Sequence, residues 1–175
     1  MKILYFPGLA HVAERAVNTK NSQKYIHLSR LYDVEIYPYN RTPDASDAEG
    51  FDALAGSSFG GYFALNLAAR LGITGIGINP SFFLDQRIHS IMEREAGVDH
   101  IDAEKLISLK STELLTANAS NLHIFMNMDD DVIEPEGIRK ACAGHGINFY
   151  PFAEGGHEAQ NFEKDMLPEI ITILK

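Results

Sequence analysis

Phe51 to Gly72 read FDALAGSSFGGYFALNLAARLG, and this stretch decides the architecture. Phe51 to Ala55 is an apolar run of strand length. From Phe59 to Leu71, small and apolar residues (Gly60, Ala64, Leu67, Ala68, Leu71) recur at helical spacing. Gly72 then stands where a helix C-terminus is expected. Between strand and helix lies Gly56-Ser57-Ser58-Phe59-Gly60, a G-x-S-x-G pattern in the strand-to-helix context that gives this pattern meaning.

Working outward, the same alternation continues on both sides. Lys2–Phe6, Val34–Tyr39, Ile73–Asn79, His123–Met128 and Ile147–Phe152 read as further strands. Helices fit between them: Ser22 as N-cap of one running to Leu31, Pro135 opening another to Ala143, and Ala159–Leu174 closing the chain. Pro168 should bend or divide that last helix. Strands alternating with helices predict an α/β fold around a parallel sheet. Two stretches depart from the rule. Gly8 to Asn21 reads as a long polar loop. Residues 81–121 exceed one crossover helix and read as two or three short helices, forming either a partial lid or a cover over the sheet.

The chain has 175 residues, enough for one domain, 1–175, with its own core. Its formal net charge of -9 disfavours nucleic acid and anionic membranes as partners, because both reward basic patches. The apolar stretch from Tyr62 to Leu84 is interrupted by Asn66, Arg70, Asn79 and three glycines, so it is no membrane span. The single cysteine, Cys142, excludes an intramolecular disulfide and a multi-cysteine metal site. With Met1-Lys2 leading straight into a strand, a cytoplasmic location is expected.

The glycine turn carries the chemistry. With 14 Gly and 10 Ser, about 0.06 chance matches to G-x-S-x-G are expected per chain. The register selects Ser58, since Ser57 would be flanked by Ala55 and Phe59 instead of Gly56 and Gly60. The plainer alternative is a serine in an ordinary glycine-rich turn holding an anion. An activated serine needs a histidine and an acid, and in this architecture the order is serine, acid, histidine. Asp129-Asp130-Asp131 follow the fifth strand, and Glu154-Gly155-Gly156-His157 follow the sixth. Both groups sit past strand C-termini, where ligands gather in open α/β sheets. His157 is the histidine chosen. Asp130 is the first choice of acid, Asp131 the alternative and Asp129 the third. His11, in the first loop, is placed to touch a substrate. The aspartate run lacks the ligand alternation of a calcium loop, so no metal is expected, and no cofactor.

Ile3-Leu4-Tyr5-Phe6-Pro7-Gly8, Gly56-Ser57-Ser58-Phe59-Gly60-Gly61-Tyr62, Ile78-Asn79-Pro80, Asp130-Asp131-Val132-Ile133 and Gly155-Gly156-His157 together resemble the small bacterial esterases of the α/β-hydrolase superfamily, specifically the YqiA-like family. The resemblance implies about six mostly parallel strands in the order 2-1-3-4-5-6, with helices on both faces. It implies a Ser58–Asp130–His157 triad and an oxyanion hole from the backbone N–H groups of Leu9 and Phe59. Pro7 stands where the family usually has histidine, which bears on the shape of the Gly8–His11 loop. The expected activity is hydrolysis of a small-molecule ester with a short to medium acyl group. A thioesterase acting on acyl-CoA is the alternative, supported if basic residues such as Arg15, Lys20 and Arg87 cluster at the site. A non-catalytic binding protein is the other.

Between Asn40, at the end of the second strand, and Phe51 lie only ten residues, Arg41 to Gly50, too few for a normal crossover helix. A lost or stunted helix predicts thin cover over one sheet face there. The exposed apolar surface would suit a homodimer.

Overall fold

Burial of Ile3, Leu4, Tyr5 and Phe6 on both sides of one short strand marks β1 (Lys2–Phe6) as an interior strand. The computed structural model describes residues 1–13, 22–115 and 119–175. The other strands are β2 (Asp33–Ile36), β3 (Ala53–Ser57), β4 (Thr74–Ile78), β5 (Leu122–Asn127) and β6 (Asn148–Phe152). They form one sheet in the order β2-β1-β3-β4-β5-β6, and every neighbouring pair is parallel. The register sets Tyr5 beside Ala55 and Ser57 beside Ile78. All strand C-termini therefore share one edge.

The eight α-helices among the described residues are α1 (Leu9–Ala13), α2 (Gln23–Ser29), α3 (Phe59–Leu71), α4 (Ile88–Arg94), α5 (Ala103–Ile107), α6 (Ser111–Leu114), α7 (Pro135–Cys142) and α8 (Leu167–Ile173). Strand alternation divides the core into two clusters. Ile3, Tyr5, Ala55, Ile78 and Phe125 meet Leu28 of α2 and Ile170 of α8 on one face. Leu4, Phe6, Leu54 and Ile124 meet α3 on the other. Phe59 to Ala68 are all buried, so α3 is a core helix without a wet face over that length.

Several expectations are refined. The stretch read as a loop after β1 is helical over Leu9–Ala13, while 14–21 lie outside the described residues. Ser22 occupies the N-cap position of α2, but its side chain makes no cap bond, and its Oγ lies 3.5 Å from the Tyr5 hydroxyl. The closing helix is divided: a wider π-type turn at Phe162–Met166 precedes α8. Pro168 sits in the first turn of α8, directly after the π-type turn. Segment 81–121 contains α4, α5, α6 and a short 3-10 turn at Leu84–Gln86. It packs on α3, where Tyr62 Oη donates to the Leu106 carbonyl at 3.0 Å and Arg70 to the Ser108 carbonyl at 2.9 Å.

The crossover from β2 to β3 is indeed stunted, to a 3-10 turn at Ala45–Ala48 capped by Asp44. The bare apolar face expected there is corrected. Tyr37, Tyr39 and Ala48 are buried in the cluster containing Phe6 and Phe63. Segment 81–121 reaches round to complete the cover: Lys105 Nζ pairs with Asp44 at 2.7 Å, and Asp102 N donates to Thr42 Oγ1 at 2.6 Å. The exposed large apolar residues among those described are Met1, Leu31, Leu71 and Val132, none of them on this crossover. No helix of the described residues is long and apolar enough to cross a membrane.

Candidate active site

Ser58 sits between the end of β3 and the start of α3 at φ 50°, ψ -120°, a conformation that L-residues adopt only under constraint. Main-chain bonds over-determine it. Ser58 N donates to the Ile78 carbonyl at 3.0 Å, while the Ser58 carbonyl accepts from Gly61 N and Ser81 N at 3.0 and 2.9 Å. The turn is tight enough to require both flanking glycines. A Cβ on Gly60 would collide with the Phe6 carbonyl, and one on Gly56 with the Gly60 carbonyl.

His157 Nε2 lies 3.0 Å from Ser58 Oγ. Its Nδ1 lies 2.8 Å from Asp130 Oδ2 and 3.1 Å from Oδ1. The Asp130 carboxylate is fully shielded from solvent, and its Oδ1 accepts from Val132 N at 2.9 Å and Ile133 N at 2.8 Å. These three side chains, from three separate strand ends, form one hydrogen-bonded line. The three aspartates thus divide. Asp130 faces His157, Asp131 is exposed, and Asp129 clamps the histidine loop by accepting from Gly155 N at 3.1 Å and Gly156 N at 2.9 Å. Those donors, Gly156 first, hold the Asp129 carboxyl below its ordinary pKa.

An asparagine set supports the same loop. Asn79 Nδ2 donates to the carbonyls of Gly156 and His157, each at 2.9 Å, and Asn79 Oδ1 accepts from Asn127 N at 2.8 Å. Asn127 Nδ2 donates to the Gly156 carbonyl at 2.9 Å, and Asn161 Nδ2 to Asn127 Oδ1 at 3.0 Å. Gly155, at φ 145°, passes so close that a Cβ would strike Asn161 Oδ1.

The cleft over Ser58 has two lobes that share Leu9, Ser58 and Val132. One, of about 690 Å³, is lined by His157, Lys24, His11 and His27 among others. The second, of about 500 Å³, is lined by Phe59, Phe82, Phe83, Ile91 and Ile138, with the charged residues Arg87, Arg94, Glu95, Asp131 and Glu134 also present. Leu9 and Phe59 open α1 and α3, where a helix leaves backbone N–H groups without intrahelical acceptors. Pro7 is built into this arrangement, since its carbonyl accepts from the Tyr39 hydroxyl at 3.2 Å. Among the described residues no group of three or more His, Cys, Asp and Glu is placed to hold a metal ion.

The sequence profile described as "Uncharacterised protein family (UPF0227)" matches residues 43–174. The chain belongs to UPF0227. No curated protein matches it. Among solved structures, Est1E from Butyrivibrio proteoclasticus is similar at 11% identity and a TM-score of 0.63, over 97% of this UPF0227 chain and 88% of Est1E. DcsB, solved in complex with its substrate analogue, is similar at 12% identity and a TM-score of 0.55, over 99% and 88% of the two chains. At these identities the likeness speaks to fold, and the fold is that of the α/β-hydrolases.

Of the residues singled out from the UPF0227 sequence, Ser58, Asp130 and His157 are brought together, and Leu9 and Phe59 border them. Asp131 is exposed, and the carboxylate that meets His157 Nδ1 is that of Asp130. His11 lines one lobe and Arg87 the other, whereas Arg15 and Lys20 lie outside the described residues. Asn127, Asn161 and Lys24 were not singled out. The signal that could have found the asparagines is their position: Asn79 follows β4 and Asn127 ends β5, two polar residues at the C-terminal edge of an apolar sheet.

Proposed function

We propose that this protein is a serine hydrolase that cleaves a small acyl ester through an acyl-enzyme. The observation that carries this reading is the line from Ser58 Oγ through His157 to Asp130, at 3.0 and 2.8 Å, on a strained strand-to-helix turn. A serine hydroxyl is a weak nucleophile until a base takes its proton. Ser58 Oγ attacks the ester carbonyl carbon as His157 Nε2 accepts that proton. Asp130, its Oδ1 held by two backbone N–H groups, accepts from Nδ1 chiefly at Oδ2 and stabilises the imidazolium.

The carbonyl oxygen becomes an oxyanion, for which the N–H groups of Leu9 and Phe59 are the donors. One such donor is typically worth about 3 kcal/mol of barrier. The tetrahedral species collapses, His157 returns the proton to the departing alkoxide, and an alcohol leaves. Water, deprotonated by the same imidazole, repeats the attack and releases the acid. The apolar lobe formed by Phe82, Phe83, Ile91 and Ile138 suits a short to medium acyl chain.

Ser58→Ala, assayed against p-nitrophenyl acetate and butyrate, tests the reading. Turnover should fall by about 10³-fold or more relative to wild type. A variant with wild-type turnover contradicts it.

A further inference from the structure

The two lobes are chemically unequal, and the reaction assigns them. His157 Nε2 must deliver its proton to the leaving oxygen, so the leaving group lies on the side of the histidine. Of the two lobes, only the larger is lined by His157. The acyl group is thereby directed to the apolar lobe and the alcohol to the lobe containing Lys24.

Lys24 is an unusual residue to find there. It is 9% exposed, and its Nζ donates to the Glu158 carbonyl at 2.9 Å. An ammonium has three donors, and this bond uses one. Among the described residues no carboxylate is in ion-pair contact with it. A buried charge without a counter-ion is unfavourable, and burial accordingly lowers the Lys24 pKa, with the more distant Glu158 opposing that effect. A second unmet group lies in the same lobe: His11 Nδ1 is buried and has no hydrogen-bond partner. The exposed rim carries Glu158 and Glu163, the latter 3.6 Å from His27 Nδ1. Two rim carboxylates oppose a polyphosphate such as coenzyme A, but leave room for one compact negative charge at Lys24.

We propose that this lobe receives a leaving alcohol bearing a single carboxylate, which pairs with Lys24, so that the substrate is an acyl ester of a hydroxy acid. The proposal rests on the esterase reading above and specifies its substrate class. The pairing supplies the counter-ion that Lys24 lacks among the described residues and adds a charge-assisted hydrogen bond in a shielded place.

The test compares butyryloxyacetate with its uncharged amide, two esters sharing one acyl group, on wild type, Lys24→Met and Lys24→Arg. The ratio of kcat/KM for acid over amide should be about tenfold or more higher in wild type than in Lys24→Met, and largely kept in Lys24→Arg. Equal ratios in wild type and Lys24→Met overturn the proposal. A second measurement needs no variant. With wild type hydrolysing p-nitrophenyl butyrate, 4-hydroxybutyrate should inhibit at about tenfold lower concentration than its amide; equal inhibition overturns the proposal. Labelling of Ser58 by a fluorophosphonate separates the two levels. A labelled Ser58 with no carboxylate preference removes this inference alone. An unlabelled Ser58 with no turnover of either ester removes the esterase reading as well.

Discussion

The Asn79 carboxamide donates to the main-chain carbonyl of His157 at 2.9 Å, so the residue just past β4 fixes the loop that carries the imidazole. Asn79 is 1% exposed and itself sits at φ 42°, a left-handed conformation that asparagine tolerates better than most residues. Its Nδ2 serves two carbonyls and its Oδ1 one N–H. Asn79→Asp keeps the shape but removes both donors and sets a carboxylate against two carbonyl oxygens. Thermal denaturation should show a loss on the order of 2 kcal/mol, from buried groups left unpaired. Ester turnover should fall further than stability alone explains, read as kcat at a temperature where the variant is fully folded.

Asp129 acts from the other side of the same loop. It is exposed, yet both its oxygens accept backbone N–H groups of Gly155 and Gly156, which depresses its pKa. A depressed carboxyl contributes to the folded loop above its unfolded pKa, and the contribution disappears as pH falls through the folded value. The clamp is therefore complete at neutral pH and lost only below the ordinary carboxylate range. Asp129→Asn has one acceptor oxygen for two N–H groups, and kcat should fall about tenfold through misplacement of His157. The loss should be uniform from pH 6 to 9, measured against wild type. A loss confined to one end of that range contradicts the positioning role.

Gly60→Ala places a Cβ against the Phe6 carbonyl inside a turn with no flexible neighbour to yield. The expected destabilisation is about 3 kcal/mol or more, measured by urea denaturation. Gly72→Ala serves as the comparison: its Cβ would meet open space, so only the left-handed backbone is penalised, at roughly 1 kcal/mol.

Cys142 lies on the buried side of α7, and burial pushes its thiol up to about 12. A thiol that is protonated and enclosed does not attack. Titration with a disulfide reagent at pH 8 should show no reaction in the native protein and one thiol per chain after unfolding.

How much of this was legible in the sequence follows from where each instruction is written. The strands, α3 and the Ser58 turn are local patterns, and α3 begins and ends where its residues indicate, at Phe59 and Leu71. Asp130 and His157 are marked by order along the chain and position after a strand, and the structure sets them beside each other. The positions of Asn79 and Asn127 at strand ends mark them as edge residues, but their partners were not legible, because main-chain carbonyls leave no mark in residue type. The cover over the stunted crossover was not legible either. Lys105 and Asp44 lie 61 positions apart, and neither belongs to a pattern that announces the pair. Pro168 announced a break, but not that a π-type turn would precede it.

Trapping the covalent intermediate tests directly whether Ser58 is the nucleophile. The protein is mixed with p-nitrophenyl butyrate, quenched in acid within the first turnover, digested, and examined by peptide mass spectrometry. A butyryl group is expected on Ser58, in the peptide spanning the end of β3 and the start of α3. Ester hydrolysis proceeding at full rate with Ser58 unmodified, or with the acyl group on another residue, would contradict it.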